Sequence, residues 1–479
     1  MATQTKHLGL TKPDPTDFVD VADLNANMDA IDEAIEELTL TDISSATVTL
    51  GGALTYTGSA RTKTVNSVVV GGKTLTEGTD YIVSGNSATN AGTYTLLITG
   101  IGKYKGSLAR VWEIAKANGS ASVSSTTLNM TGAAGMTRTV TVTRSGDGVI
   151  SVVSNNTSVA QVSVSGNTVT VKAMSAGSAT ITVNVGTGTN YKATSCTFSI
   201  TALVADGTLN NNSWEVIGAV SNAGVADSIW PIGATKAVDV KGTVGTLAID
   251  ETQWTFIIGF NHNASREGAN KTHFQGFKTA QSGGVDVGLV DNGYGSSYTD
   301  GTKYFNMNHS ANTNAGGWKD CDLRYDVLGS TNTSKGDATG TTATNPVANT
   351  LMAALPADLR AVMKPITKYT DNVGNGSGNV AANVTATVDY LPLLAEYEIF
   401  GARTGANSYE QNYQAQYAYY ANGNSRIKYK HSAVTTAVVW WSRSCYYYYN
   451  NYFISVSTSG ASYYSLARYS RALAPAFAV

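Results

Sequence analysis

Four consecutive tyrosines, Tyr446, Tyr447, Tyr448 and Tyr449, run into Asn450, Asn451 and Tyr452, and Ser462, Tyr463, Tyr464 and Tyr469 follow before the chain ends. Strand and helix periods send successive side chains in different directions, so no single buried face uses four tyrosines in a row. Each phenol also carries a hydroxyl that needs water or a partner. These residue types suit recognition. Tyr gives large, stiff, amphipathic contact area at low entropic cost, and Ser and Asn supply adaptable hydrogen bonds. The interior of 441–470 therefore reads as a ligand-binding surface. Its flanks, Val438, Val439, Trp440 and Trp441, read as core, as do Phe453, Ile454 and Val456 within it. Arg443 reads as a structural hydrogen bonder beside that strand. A second aromatic run, from Tyr409 and Tyr413 through Tyr417, Tyr419 and Tyr420, suits either a neighbouring loop of the same face or a ribbon packed beneath it. Tyr417, Tyr419 and Tyr420 are carried forward as ligand-face residues.

Catalytic chemistry finds little to work with. His7, His262, His273, His309 and His431 are scattered, with neither an H-E-x-x-H run nor a Cys/His metal spacing. There is no nucleophile elbow and no phosphate-cradling P-loop; 374–378 is a flexible Gly/Ser/Asn loop by composition. Cys196, Cys321 and Cys445 are odd in number and far apart, which suits small buried thiols, not a disulfide framework. Asp286, Asp291 and Asp300 lack the close spacing of a calcium loop. No metal, cofactor or catalytic residue is expected, and the chain reads as a non-enzyme.

These residues need elements to hold them. At 479 residues the chain exceeds one hydrophobic core and must divide into domains. Abundant Thr, Ser, Val and Gly with few charges point to β-rich modules with many turns. A net charge of −2 without a basic cluster argues against a nucleic-acid partner. No apolar stretch is long enough for membrane insertion, and the first residues lack a secretory signal, so delivery to the outside would need a route other than Sec.

In 1–40, Val21, Leu24, Met28, Ile31, Ile35 and Leu38 recur at heptad spacing behind Asp20 and Asp23, which predicts a coiled-coil-like attachment or oligomerisation helix. Its acidic flanks carry no Lys or Arg, so it would be marginal alone. Regions 41–116 and 117–203 alternate apolar and polar residues in short runs between turns, as in β-sandwiches. They echo each other: Ala91-Gly92-Thr93 with later Tyr104-Lys105 matches Ala176-Gly177-Ser178 with later Tyr191-Lys192. From 204 to 479, Trp214, Trp230, Trp254 and Trp318 mark an α+β domain with helical signals at 312–328 and 355–363. Gly-, Asn- and Ser-rich loops are expected at 261–272, 291–301, 329–345 and 371–383.

Resemblances extend this reading. Tyr56-Thr57-Gly58 with Leu75-Thr76-Glu77-Gly78, and Val169-Thr170-Val171-Lys172-Ala173 with Ala176-Gly177-Ser178, resemble two types of bacterial Ig-like module, which implies spacers. Gly316-Gly317-Trp318, Leu355-Pro356-Ala357-Asp358-Leu359-Arg360, the stretch from Leu391-Pro392-Leu393 to Phe400-Gly401 and Trp440-Trp441-Ser442-Arg443-Ser444 together resemble an uncharacterised prophage domain related to the C-type-lectin-like fold. Ala474 stands where that family commonly has Arg before the terminal Pro475, which puts the packing of the closing strand in question. The tyrosine-rich end is similar to the variable proteins of diversity-generating retroelements, in which mutated Asn codons yield Tyr, Ser and Asp. Thr5-Lys6-His7-Leu8-Gly9-Leu10 and the run from Asp17 to Asn25 resemble the start of phage tail-fibre proteins. The lectin-like fold also includes formylglycine-generating enzymes, whose reactive cysteine pair Cys321 and Cys445 could supply only if brought together. Its calcium-binding sugar-lectin triplets are missing here.

The expectation is a multidomain, mostly β protein with a short N-terminal helix, two Ig-like sandwiches and an α+β lectin-like head. Its implied role is phage tail receptor binding. A homotrimer would attach to the tail or baseplate through the helix and meet a host-surface protein or glycan with its tyrosines, in the virion and outside the cell. A bacterial surface adhesin and a glycan-active or formylglycine-generating-type enzyme are the alternatives.

Overall fold

A computed structural model describes residues 3–14, 16, 18, 20–330 and 343–479, without the side chains of residues 37 and 38. Pro15, Asp17 and Val19, the side chain of Leu38 and most of the loop expected at 329–345 therefore lie outside the described residues. The chain is multidomain and mostly β. Helix α1, Val21–Thr39, is capped by Asp20, whose carboxylate accepts from the Ala22 N–H at 2.8 Å. Asn27 exchanges hydrogen bonds with the Thr11 backbone at 2.8 and 2.9 Å. The apolar seam faces outward: Val21, Leu24, Met28, Ile31 and Ile35 are 38–67 % exposed. Among the described residues no helix is long and apolar enough to cross a membrane.

Two Ig-like sandwiches follow. The first sets Thr47–Leu50, Val65–Val70 and Lys73–Thr74 against a sheet of Leu54–Thr55, Ser107–Ala115, Gly92–Gly100 and Tyr81–Ser84, around Val68, Leu96, Ile98 and Trp112. The second sets Ser120–Val123, Thr137–Ser145, Thr168–Ala173 and Ala160–Ser165 against Thr127–Ala133, Thr194–Ala205, Gly177–Val185 and Ile150–Ser154. Inward positions alternate with outward ones, as in Gly177–Val185, where Ala179, Ile181, Val183 and Val185 are buried. The internal echo has a structural counterpart. Tyr104–Lys105 pairs parallel with Thr41–Asp42 where the first sandwich begins, and Tyr191 bridges parallel to Ala117 where the second begins.

The sandwiches meet through side chains. Asn190 accepts from the Ala91 N–H at 2.8 Å, Lys116 donates to the Gly188 carbonyl at 2.7 Å, and Tyr56 meets Tyr191 edge-on at 5.3 Å. The last strand of the second sandwich continues to Ala205, with Val204 in the sandwich core and Ala205 in the core of the next domain. The chain thus passes from the second sandwich into the C-terminal domain, called the head below, without a linker.

The head begins with α2, Trp214–Asn222, capped by Ser213. The strands used below are β1 (Thr235–Val244), β2 (Leu247–Phe260), β3 (Thr272–Lys278), the hairpin β4 (Ile366–Asp371) and β5 (Val384–Asp389), the meander β6 (Trp440–Cys445), β7 (Tyr452–Val456) and β8 (Ser462–Leu466), and the closing strand β9 (Ala476–Ala478); Val287–Gly288, Lys428–Lys430 and Ala433–Val438 form a further small sheet. β1, β2, β3 and β9 form one antiparallel sheet. Ala474 is fully buried and its carbonyl accepts from Gln275 at 3.0 Å, after which β9 pairs with β3 at His273, Phe274 and Gln275. That pairing settles how the closing strand packs. The helical signal at 355–363 corresponds to Ala357–Val362, with Pro356 as its N-cap, and a further turn of helix, Leu351–Ala354, precedes it. The earlier signal is a turn of helix at Gly317–Asp320 followed by a π-helical turn at Leu323–Val327. Trp214, Trp230, Trp318 and Trp441 lie in the main core, while Trp440 packs in a second core with Phe256, Tyr417 and Val456.

Candidate functional site

The three-stranded meander displays the tyrosines. β6 and β7 are buried along almost their whole length, so the hairpin between them, 446–451, is pushed to the rim. Asn450 and Asn451 make its turn, a geometry Asn tolerates well. Rings of Tyr446, Tyr447, Tyr448, Tyr449, Tyr452, Tyr463 and Tyr464 then form one contiguous patch. Tyr447 stacks beside Tyr446 at 5.7 Å, Tyr446 meets Tyr464 at 5.1 Å, and Tyr464 lies parallel to Tyr463 at 5.0 Å and 6°. Tyr448 is 65 % exposed, Tyr463 53 %, Tyr449 46 % and Tyr464 39 %.

The patch has a stiff floor. Asn314, buried beneath the hairpin, donates from its amide to the Tyr449 and Tyr452 carbonyls at 2.8 Å each, and its own N–H donates to the Asn450 carbonyl at 2.8 Å. The Asn314 side-chain oxygen accepts from the Asn375 N–H at 2.7 Å, so two loops hang on one residue. Glu396 is also fully buried. Its carboxylate accepts from the N–H groups of Thr404, Gly405 and Ala406 at 2.7–3.2 Å. The Ser462 hydroxyl donates to it as well. This fixes the loop on which Tyr446 lies: a Cβ at Gly405 would stand 2.8 Å from the Tyr446 ring and 2.7 Å from Ile454. Asn314, Glu396 and Gly405 carried no sequence signal of this role. Asn314 falls in the stretch read as a helical signal, and Glu396 in one quoted for a family resemblance.

The remaining expected residues divide. Asn450 is exposed on the turn and Asn451 is half-buried, its carbonyl accepting from the Ala467 N–H. Ser462 turns inward to Glu396. Tyr469 sits at the edge, under the Arg471 guanidinium at 4.7 Å. Tyr417, Tyr419 and Tyr420, expected on the ligand face, are instead buried at 0 %, 5 % and 1 % exposure. The reason lies in β3, which is covered on both faces yet carries His273 and Gln275. The Tyr417 hydroxyl lies 3.2 Å from His273 Nδ1, and the Tyr420 hydroxyl donates to Gln275 at 2.6 Å. Tyr419 meets the Lys278–Asp286 ion pair.

A buried ionic network underlies this second run. Lys368 Nζ lies 2.9 Å from Glu267 and 2.8 Å from Glu398, and donates to the Tyr417 hydroxyl at 3.0 Å. Arg443 grips Glu398 with two bonds of 2.5 and 3.0 Å and donates to Thr370 and the Leu393 carbonyl. Burial would raise the Glu398 carboxyl, but Arg443 and Lys368 outweigh it and hold it well below the carboxylate range. Burial pushes Glu267 up to about 7 and His262 down to about 3. His262, Glu267 and Glu398 have metal-like spacing. Lys368 and Arg443 already supply the two positive charges that balance the two carboxylates, so the donor set does not fit a further cation. His309, Asp322 and Asp326 also approach one another, but His309 Nε2 faces the Tyr304 carbonyl at 3.1 Å and Lys303 pairs with Asp326 at 2.8 Å. Asp291 is consumed by Ser470 and by the Phe305 and Gly293 N–H groups. Cys321 and Cys445 are both buried and unpaired, and burial lifts Cys321 to about 12 and Cys445 well above its ordinary value, so neither is a ready thiolate.

Residues 298–479 match the family described as Domain of unknown function (DUF6273). No curated protein matches the chain. Among solved structures it is similar to the S-layer protein SbsC domains 4 and 5, at 22 % identity over 34 % of this chain and 100 % of that one, with a TM-score of 0.18. A three-Ig fragment of titin, domains I67–I69, gives 11 % identity over 33 % of this chain and 64 % of that one, also at 0.18. SbsC domains 4–9 give 17 % over 52 % of this chain and 38 % of that one, again at 0.18.

Proposed function

We propose that this chain is a receptor-binding protein of a phage tail, which recognises a molecule on the host surface through the tyrosine patch and turns nothing over. One observation carries the reading: a contiguous, exposed aromatic patch is held on a floor of fully bonded buried polar residues. Exposed aromatic area of this extent marks an interaction surface, and a rigid floor lets binding proceed without ordering the loops first. In this reading the head is a C-type-lectin-like domain and 441–470 its diversified segment. The sandwiches are a stalk, and the exposed seam of α1 joins three copies and the tail or baseplate, adding avidity. The virion is its location.

A labelled full-length chain should decorate cells of a susceptible strain in a bacterial panel, and Tyr448→Ala or Tyr463→Ala should abolish the staining while the melting temperature holds. Staining that survives both substitutions sinks the proposal. A near-repeat of the coding 3′ end beside a reverse-transcriptase gene would support diversification. The bonded contact between the two sandwiches and the unbroken strand into the head equally favour a second reading, a bacterial surface adhesin, which the presence or absence of the chain in purified virions separates from the first.

A further inference from the structure

The head treats its positive charges in two ways. In the interior, Arg324 pairs with Asp389 at 2.7 Å, Arg443 with Glu398 and Lys278 with Asp286, as burial of a cation demands. At the tyrosine patch the guanidiniums are left without acids. Arg403 lies over the Tyr447 ring at 5.9 Å and donates only to the Ala406 carbonyl. Arg471, more than half buried, covers Tyr469 and donates to the Ser465 hydroxyl at 3.0 Å. Among the described residues neither comes within ion-pair distance of a carboxylate. From 440 to 479 the chain has no Asp or Glu, and of its arginines Arg443 is the buried partner of Glu398. The acids of the neighbouring loops, Asp371, Glu396 and Glu410, are at most 1 % exposed and bonded inward.

The geometry points to an acidic polysaccharide as the ligand of this patch, an inference that rests on the recognition role proposed above. Arg403 stands over Tyr447 at one end of the row of rings, and Arg471 stands over Tyr469 and bonds Ser465, two residues along the strand from Tyr463, at the other. Between them run the ring-to-ring steps Tyr447–Tyr446, Tyr446–Tyr464 and Tyr464–Tyr463. The negative faces of the rings attract the weakly positive C–H faces of sugars. Carboxylate or phosphate groups on the polymer would supply the anions the two guanidiniums lack, as charge-assisted hydrogen bonds. A protein partner interleaves both signs of charge on its surface, and a face built against it would be expected to do the same. A face with one sign only fits a polymer with one sign only.

Titration calorimetry of the full-length chain with polygalacturonate, a phosphate-bearing teichoic acid, neutral dextran, poly-glutamate and a thymidine oligonucleotide tests this, with the melting temperature monitored throughout. One or both acidic glycans should bind and dextran should not, and which one binds separates carboxylate from phosphate. Arg403→Gln and Arg471→Gln should each weaken that binding about tenfold, and raising NaCl from about 50 to about 500 mM should weaken it further. Two sites keep the test alive if one variant folds poorly. Equal binding of dextran, indifference to both substitutions, or tighter binding of poly-glutamate or the oligonucleotide overturns the inference. Cell staining separates the two readings. Staining lost with Tyr448→Ala but indifferent to the arginine variants and to salt leaves recognition standing and removes the acidic glycan; staining kept with the tyrosine variants removes the recognition role itself.

Discussion

The head contains two tyrosine-rich runs that the fold uses in opposite ways. Between 446 and 464 the rings touch mainly one another, and four of them are more than a third exposed. Between 417 and 420 the rings are buried and each hydroxyl has a polar partner: Lys368 and His273 for Tyr417, Lys278 for Tyr419, Gln275 for Tyr420. A tyrosine can be a satisfied core residue or a surface contact, and what separates the cases is whether a buried polar strand lies opposite. β3 provides such a strand to the second run. The first run faces solvent, and its floor bonds elsewhere than to the phenols: Asn314 to carbonyls of the hairpin, Glu396 to the 404–406 loop and Ser462.

The sharpest way to break this contrast is to attack the ions beneath the buried run. Glu398→Ala strands Arg443 in the interior, leaves Lys368 with Glu267 as its one remaining carboxylate among the described residues, and should cost roughly 3–5 kcal/mol in denaturant unfolding. A loss well under about 1 kcal/mol would mean that the network is dispensable. Next in size is Asn314→Ala, which frees two carbonyls of the hairpin and one N–H of the neighbouring loop. A cost of about 1–3 kcal/mol is expected, together with lost protection from amide exchange in 446–452. Exchange unchanged in that hairpin would show that the floor is not its anchor.

Tyr420→Phe should then cost about 1 kcal/mol, because Gln275 keeps its burial and loses its donor. Tyr448→Phe should stay within about 0.5 kcal/mol of the parent chain. Equal effects at the two positions would erase the distinction between the runs. The contrast can also be sharpened through a pH slope. Glu410, fully buried, accepts from Ser444 and the Asp371 N–H, and burial raises its carboxyl from 4.5 to about 7. A raised carboxyl favours the protonated folded state, so its contribution is complete below about 4.5 and lost as the pH climbs towards 7. Glu410→Gln should flatten the decline of the melting temperature across that window, and an unchanged slope would exclude Glu410 as its source.

Sequence alone determined the composition-driven part of this protein. Alternating Thr and Val runs with Gly-rich turns specify β-sandwiches, because a half-buried strand has a period of two and both faces show in the pattern. The heptad of α1 and the Asp20 cap are likewise local, set by residues within a turn or two of each other. The four-tyrosine run is legible in the sequence by its composition, but β3 and β6, buried on both faces, show that its exposure was decided by the hairpin's place at the rim. Tertiary structure alone decided the second run and the floor. Tyr417 lies far along the chain from His273, as Asn314 does from Tyr452, and hydrogen bonds of that separation leave no periodic trace. The charge pattern of the patch has the same origin. The sequence shows Arg403 and Arg471, but only the fold turns the neighbouring acids inward and sets both guanidiniums over tyrosine rings with no carboxylate in ion-pair reach among the described residues.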